Sequence, residues 1–475
     1  MRLLLCVFVA LLFSVNSLLA AEAKLSGKIT NKLADEVTVQ YFTNYINYDQ
    51  KILTAKLTTD GSFSLSIPVS APFTLITIEN GDQATETYIQ PGDDLKFTLD
   101  GKNFDSTLIY TGKGAEIGNL MAKHMLSQSF SRMFSNKAEP FFAKNEEEFV
   151  KEINKLLQVE LDFIEPYKSK LPKKFVDYWK ARYQYDIYTI MMQYTFMHQM
   201  VVIGSSTLKM KPEDYNIMMR VPFEFNDEYV SMPNYLSYAE DVLSYKYDAK
   251  TKPDTTIPYE KAYEIKMEYI RNEAKKIMPP KTLQYFYAKN LNNNIKHKPL
   301  SLVEKEYAEY KALYKQSPYD ALLSDAMVIK RKKAKGAPVI DFEFTSLDGK
   351  KMKLTDLKGK VVYLDFWASW CGPCIMEIPP TKKVKERFKD KDVVFVNVSI
   401  DDDSTSWKKA IEKYKISGIH ICEPGGWKAR IAAMYGIGSV PTYYLIDKNG
   451  KFASEDTPRP SETDKLIAEI EALLN

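Results

Sequence analysis

Val361-Val362-Tyr363-Leu364-Asp365-Phe366-Trp367-Ala368-Ser369-Trp370-Cys371-Gly372-Pro373-Cys374 decides how this chain is read. From Val361 to Trp367 the run is apolar but for Asp365, and a strand of that kind is covered on both faces, as in a parallel or mixed α/β sheet. Two cysteines around a Gly-Pro pair then open a helix. Residues three apart at a helix start sit on the same side of the first turn, so the two sulfurs can bond to each other with little backbone movement. Unpaired backbone N–H groups at that end favour an anion on the first sulfur and lower a thiol pKa from about 8.5 toward about 7 in such pairs. Cys371 is therefore expected to be the attacking thiolate. Cys374, one turn deeper and less exposed, is expected to release the mixed disulfide by attacking Cys371. Pro373 fits because a first turn does not need its missing N–H.

Working outward, Val393 to Ile400 is a second apolar strand, Trp407 to Tyr414 a helix, Thr442 to Ile446 a third strand, Asn449-Gly450 a hairpin turn and Thr463 to Leu474 a closing helix. This sheet should carry helices on both sides. Upstream, Phe342 to Thr345 and Met352 to Leu354 flank the Asp348-Gly349 turn. Arg331, Lys332, Lys333 and Lys335 run into Gly336-Ala337-Pro338, which reads as a solvated linker and sets a boundary there. From about Ala115 to Lys330 the period is helical. Asn145 and Glu148 mark a helix start, with Phe149, Ile153, Leu156, Leu157, Leu161 and Ile164 on one face, and further helices run through Tyr178 to Met200 and Tyr259 to Ile277. Ile187 to Leu208 carries no charge, yet Gln193, His198 and Gln199 would be expensive in lipid, so a buried helix is expected rather than a membrane span. From Leu25 to Tyr110 short alternating runs are broken by Asp60-Gly61, Asn80-Gly81 and Pro91-Gly92-Asp93, the pattern of a β-sandwich. The expected chain is multidomain: an N-terminal all-β sandwich-like module over residues 24–114, a central all-α region with its linker over 115–334, and a C-terminal α/β domain over 335–475.

At 475 residues the chain is too long for one core. Sixty-five Lys and Arg against 62 Asp and Glu leave a net charge of +3, too weak a field to collect phosphate backbones, so nucleic acid is excluded as a partner. Arg2, the apolar stretch Leu3 to Phe13 and the small residues Ala20, Ala21 and Ala23 read as a cleaved export signal over residues 1–21. The alternative, an uncleaved anchor, is weakened by Ser14, Asn16 and Ser17, which cut the run short of the roughly 20 residues needed to span a bilayer. Cys6 would be lost with the signal. The three cysteines left are too few and too unevenly spaced for an architectural disulfide framework, so they read as functional. His124, His198 and His297 are scattered singly and read as ordinary core or surface residues.

The segment Leu364 to Cys374 resembles the active-site segment of the thioredoxin superfamily almost letter for letter. Gly336-Ala337-Pro338, Lys358-Gly359-Lys360 and Glu377 with Pro379 make residues 336–475 similar to the TlpA/ResA-like branch of exported thioredoxins. The β module and helical region resemble, more distantly, the N-terminal extension of long Gram-negative members. The resemblance implies a thioredoxin fold and assigns further residues. Val440-Pro441-Thr442 falls at the family's cis-proline turn, whose backbone lies against the cysteine pair and aligns the substrate chain. Asp365 matches the buried carboxylate that accepts a proton from the second thiol, and Glu377 matches the acid of the ResA-like branch. Many members carry a neutral amide where Asp365 stands, so which carboxylate is the base stays open, as does a merely capping or pairing role. Trp370 is expected to shield the site and contact substrate, beside Gly372, Pro373, Val440 and Pro441. No cofactor is implied beyond the redox-active Cys371–Cys374 disulfide, and no metal ligand. Cys422 reads as a buried reduced cysteine. A zinc site from Cys371, Cys374, Cys422 and His420 is the sharper alternative, set aside because redox chemistry already explains the pair.

The function implied is that of an exported, periplasmic or cell-envelope thiol–disulfide oxidoreductase reducing disulfides of envelope proteins. The Gly-Pro dipeptide resembles thioredoxin, with a potential of about −270 mV against about −120 mV for strong oxidants. In an oxidising compartment a membrane electron donor would have to regenerate the dithiol. Two other readings compete: a binding or assembly protein of the envelope in which the pair is secondary or metal-bound, and a peroxidase-like thiol enzyme, whose Pro, Thr, Cys setting is absent here.

Overall fold

A computed structural model describes residues 21–127, 141–203, 216–251 and 256–474. The export-signal reading therefore falls almost wholly outside the described residues. The chain divides into two compact units, Met1–Phe286 and Tyr287–Asn475.

In the first unit, β1 (Ala21–Thr30), β4 (Ser62–Val69), β7 (Asp94–Asp100) and β8 (Ile109–Lys113) form one sheet in the order β4-β1-β7-β8. A second sheet runs β3-β2-β5-β6, from β2 (Glu36–Asn44), β3 (Asp49–Lys56), β5 (Thr74–Asn80) and β6 (Gln83–Ile89). Alternation along each strand decides its faces. In β7, Leu95, Phe97 and Leu99 are buried while Lys96 and Thr98 are exposed. Leu25, Ile29 and Phe97 of one sheet meet Val37, Val39, Ile76 and Ile78 of the other in a shared core, as expected of a sandwich. Helix α1 (Ala115–Leu126) lies so close to β8 that a Cβ on Gly118 would stand 2.6 Å from the Tyr110 ring, and the Asn119 amide brackets the Tyr110 backbone from both sides. Helix α2 (Glu146–Ile164) starts at Asn145, whose side chain accepts from the Glu148 N–H at 3.0 Å. Helices α3 (Lys173–Ile203), α4 (Pro233–Lys250) and α5 (Tyr259–Ile277) follow, and α6 (Pro280–His297) straddles the division. No helix among the described residues is long and apolar enough to cross a membrane. His124 lies 2.7 Å from the Glu160 carboxylate, and His198 lies 2.6 Å from the Phe142 carbonyl oxygen.

The second unit joins the last turns of α6, helix α7 (Leu300–Leu313) and helix α8 (Asp320–Lys332) to the C-terminal domain. Of the basic run, Arg331 and Lys332 close α8, and Arg331, Lys332 and Lys335 are exposed to solvent. Arg331 makes a forked pair with Glu304 at 2.6 and 2.8 Å, and Lys333 turns inward to donate to the Tyr435 carbonyl at 2.6 Å and the Tyr444 hydroxyl at 2.9 Å. Lysine stems bury as readily as apolar chains when the ammonium finds oxygen partners, which a charge count does not reveal.

The domain opens with the hairpin β9 (Glu343–Thr345) and β10 (Lys351–Lys353). Its main sheet contains β11 (Val361–Trp367), β12 (Val393–Ser399), β13 (Ile419–Cys422) and β14 (Thr442–Ile446) in the order β13-β12-β11-β14. β11 pairs parallel with β12 and antiparallel with β14, so the end of β11 is flanked by the end of β12 and the start of β14. Helix α9 (Gly372–Met376) follows β11 and leads at once into α10 (Ile378–Arg387), while α11 (Ser404–Tyr414), α12 (Arg430–Tyr435) and α13 (Thr463–Leu474) complete the layers. Side chains alternate across β11. Val362, Leu364 and Phe366 enter one core with Ala432 and Tyr435, whereas Val361 and Tyr363 enter another with Val384, Phe388, Leu466 and Ile470. Helices lie on both sides of the sheet, as the sequence predicts, with α11 and α13 among those expected and α10 and α12 not read from it, and Asp365 points the same way as Val361 and Tyr363.

Candidate active site

Cys371 is the N-cap of α9, and its sulfur lies 3.1 Å from the backbone nitrogen of Cys374, whose N–H points at it. Cys371 is disulfide-bonded to Cys374. The donor that favours a thiolate on Cys371 is therefore supplied by the residue that also carries its partner. The Val440–Pro441 peptide bond is cis, and the Val440 carbonyl oxygen lies 3.7 Å from Cys371 Sγ. Exposure does not separate the two cysteines as the sequence suggests: Cys371 is 4% and Cys374 5% accessible. Trp370, next to Cys371, is 59% exposed and stands against Trp427 at 6.0 Å between ring centroids.

What does separate the cysteines is the ground behind them. Cys374 lines a small cavity of about 20 Å³ with Asp365, Trp367, Ile378, Thr381 and Lys385, room for about one water. Asp365 Oδ1 is buried there without a hydrogen-bond partner. Burial pushes its pKa up to about 7, against the pull of the Lys385 ammonium and with a further push from Glu377. Lys385, which donates to the Ser417 carbonyl, is in turn brought down to about 8 by burial. Glu377 is held elsewhere: its two carboxylate oxygens accept from the Ser461 N–H and hydroxyl, each at 2.8 Å.

Of the residues read from sequence, Cys371, Cys374, Asp365, Trp370, Gly372, Pro373, Val440 and Pro441 come together, and Glu377 sits at the α9–α10 joint. The zinc set does not assemble. His420 Nε2 faces the Ile416 carbonyl at 3.0 Å, Cys422 Sγ faces the Asp401 carbonyl at 3.5 Å, and no metal-holding group of three or more His, Cys, Asp or Glu occurs among the described residues. Burial raises the Cys422 thiol pKa, the opposite of a reactive cysteine.

A Redoxin family model matches residues 334–474. Thiol-disulfide oxidoreductase ResA of Bacillus anthracis is 35% identical over 126 residues, which cover 26% of this chain and 71% of that protein. The chain belongs to the ResA-like branch of the thioredoxin superfamily. It is a thiol–disulfide oxidoreductase. Thioredoxin-like protein YneN of Bacillus subtilis is 36% identical over 117 residues, 24% of this chain and 66% of that one. Among solved structures, the thioredoxin domain of a thiol-disulfide oxidoreductase from Bacteroides vulgatus is 31% identical and covers 30% of this chain and 99% of that domain, with a TM-score of 0.27.

Three residues of this ResA-like site escaped the sequence reading. Lys385 was accessible to it, because Cys374, Ile378, Thr381 and Lys385 stand at i, i+4, i+7 and i+11 and so share a helical face. Asp401, two residues past β12, accepts from the Ser369 N–H at 2.9 Å and the Ser369 hydroxyl at 2.6 Å, fixing the turn two residues before Cys371. Trp427 stands in a short turn after Gly425-Gly426, where no periodicity marks it.

Proposed function

We propose that this ResA-like protein is exported and reduces disulfides of periplasmic or cell-envelope proteins, drawing electrons from a membrane donor that restores the Cys371–Cys374 dithiol. The observation that carries the reading is the asymmetry behind the pair: a backbone N–H aimed at Cys371 and, behind Cys374, Asp365 with a buried, unpartnered Oδ1 and a raised pKa.

The steps follow from that asymmetry. Cys371 thiolate attacks one sulfur of a substrate disulfide, the substrate S–S bond breaks, and the departing sulfur leaves as a thiolate that takes up a proton. A mixed disulfide through Cys371 remains. The Asp365 carboxylate accepts the Cys374 proton, directly or through one water in the cavity. The Cys374 thiolate then attacks Cys371 Sγ, the second substrate sulfur departs, and two electrons have moved from the protein to the substrate. Trp370 and the backbone at Val440 hold the substrate chain against Cys371 while this happens. Glu377 acts by placement and charge, since Ser461 occupies both of its oxygens.

A Cys374→Ala variant should accumulate covalent adducts with envelope proteins through Cys371, released by reductant, and their identification by mass spectrometry names the substrates. An envelope scaffold with an incidental pair yields none. The direction of electron flow is read from the potential: a value near −270 mV fits a reductant, and one above about −150 mV overturns it in favour of an oxidase or isomerase.

A further inference from the structure

The backbone that meets Cys371 is followed on one side by residues from outside the α/β domain. Gly436 and Gly438, just before Ser439-Val440-Pro441, are both exposed and both touched by the preceding helices. Ile329 of α8 lies 3.1 Å from the place of a Cβ on Gly436, and Nζ of Lys296, in the last turn of α6, lies 3.4 Å from the place of a Cβ on Gly438. Lys296 has no hydrogen bond or ion pair among the described residues. Its charged neighbours, Lys289 on its own helix and His297 next in sequence, offer no anion. Lys330, the nearby cation of α8, already faces Glu455 and Asp456.

Strand order places this ammonium on one side of the disulfide only. β14, entered from Val440-Pro441, flanks β11 on one edge, and β12, followed two residues on by Asp401, flanks it on the other. The acids beside Cys371 belong to the β12 side, where Asp401 holds Ser369 and Asp402 lies 3.0 Å from the place of a Cβ on Gly426. Asp401 is buried, so an extended peptide laid along Val440 has the exposed Asp402 and the Trp370–Trp427 pair on one flank and a free cation on the other. Two residues of chain span at most about 7 Å, so Gly438 is within side-chain reach of a substrate residue held at Val440.

We propose that Lys296 is a specificity-determining residue of this oxidoreductase, selecting disulfide-bearing polypeptides with an acidic side chain next to the cysteine that Cys371 attacks. The inference rests on the exchange reaction proposed above and adds the chemical class of the substrate. A single unpaired cation at a partly solvated surface discriminates between opposite side-chain charges without altering the sulfur chemistry.

The test uses the full chain, reduced beforehand, and three peptide disulfides identical except for Glu, Gln or Lys beside the attacked cysteine. Single-turnover reduction followed by tryptophan fluorescence should run fastest for the Glu peptide and slowest for the Lys peptide, about tenfold apart at low salt and converging at high salt. Lys296→Gln should bring the ratio near one, Lys296→Glu should invert it, and Lys296→Arg should keep it, with the Gln peptide unchanged throughout. An equal ratio in the parent protein, or an unchanged ratio in Lys296→Glu, overturns the assignment. Failure to reduce any of the three peptides overturns the exchange reading instead, so the two failures are distinguishable.

Discussion

Asp365 shows how much chemistry one half-buried side chain holds at this site. Its proton is held in the folded protein up to about pH 7 and lost near pH 4 in the unfolded chain. The extra proton affinity stabilises the fold fully below about pH 4, and the contribution disappears as the pH rises through about 7. Asp365→Asn removes the buried charge, so at pH 8 the variant should be more stable than the parent by roughly 2–4 kcal/mol, with the gain vanishing near pH 4 in denaturant titrations. Its resolving step should slow by about 10²-fold, and the rise of that rate through pH 7 should be lost in stopped-flow measurements. Stability up and rate down is the signature of a base rather than a packing residue. From sequence, Cys371 and Cys374 were legible because spacing and helix position carry their chemistry. Asp365 was legible only as a candidate beside Glu377, since what distinguishes them is which one is hydrogen-bonded, and Ser461 comes from a segment 84 residues away.

The α9–α10 element presents Cys371 at its cap, Glu377 at its joint and Lys385 in its last turn, so opposite charges on one element act on the same carboxylate. The consequence is a pair of shifts of opposite sign. Lys385→Met removes the cation that favours the Asp365 anion and should move the pH inflection of the resolving step above 7. Glu377→Gln removes a like charge and should move it below 7, while weakening the tie to Ser461 by about 1–2 kcal/mol. Equal shifts in the same direction would contradict the placement of these groups. Strands and helices here were readable because apolar periodicity is local: β11, β14 and α13 carry the bounds that their patterns predict or differ by none. β13 was missed, being four residues long at a sheet edge, where its half-buried ends blur the pattern.

On the scale of the whole chain, the compact units divide between Phe286 and Tyr287, whereas the Redoxin match begins at residue 334, within the basic run. Helices α7 and α8 thereby become part of the redox unit through Lys333 on Tyr435 and Tyr444, and through Leu300, whose N–H donates to Glu455 at 2.7 Å. A protein beginning at residue 335 should unfold several degrees below one beginning at residue 287, and at equal protein concentration the two melting curves check this directly. Coincident curves would mean that the α/β domain is self-sufficient. Charge and turn residues make the run before Gly336 read as a boundary, and what they leave out is the inward turn of Lys333: sequence displays a lysine's charge, whereas its burial depends on the oxygens of Tyr435 and Tyr444, about a hundred positions away.

The near-complete cover over both sulfurs has a bearing on traffic. A bond that is only a few per cent accessible is a poor target for any small soluble thiol that drifts past, and a better one for a polypeptide that docks beside it and is held in line with Cys371. Such a device is wired by fit, not by diffusion, and its current can be kept apart from the bulk redox state of the surroundings.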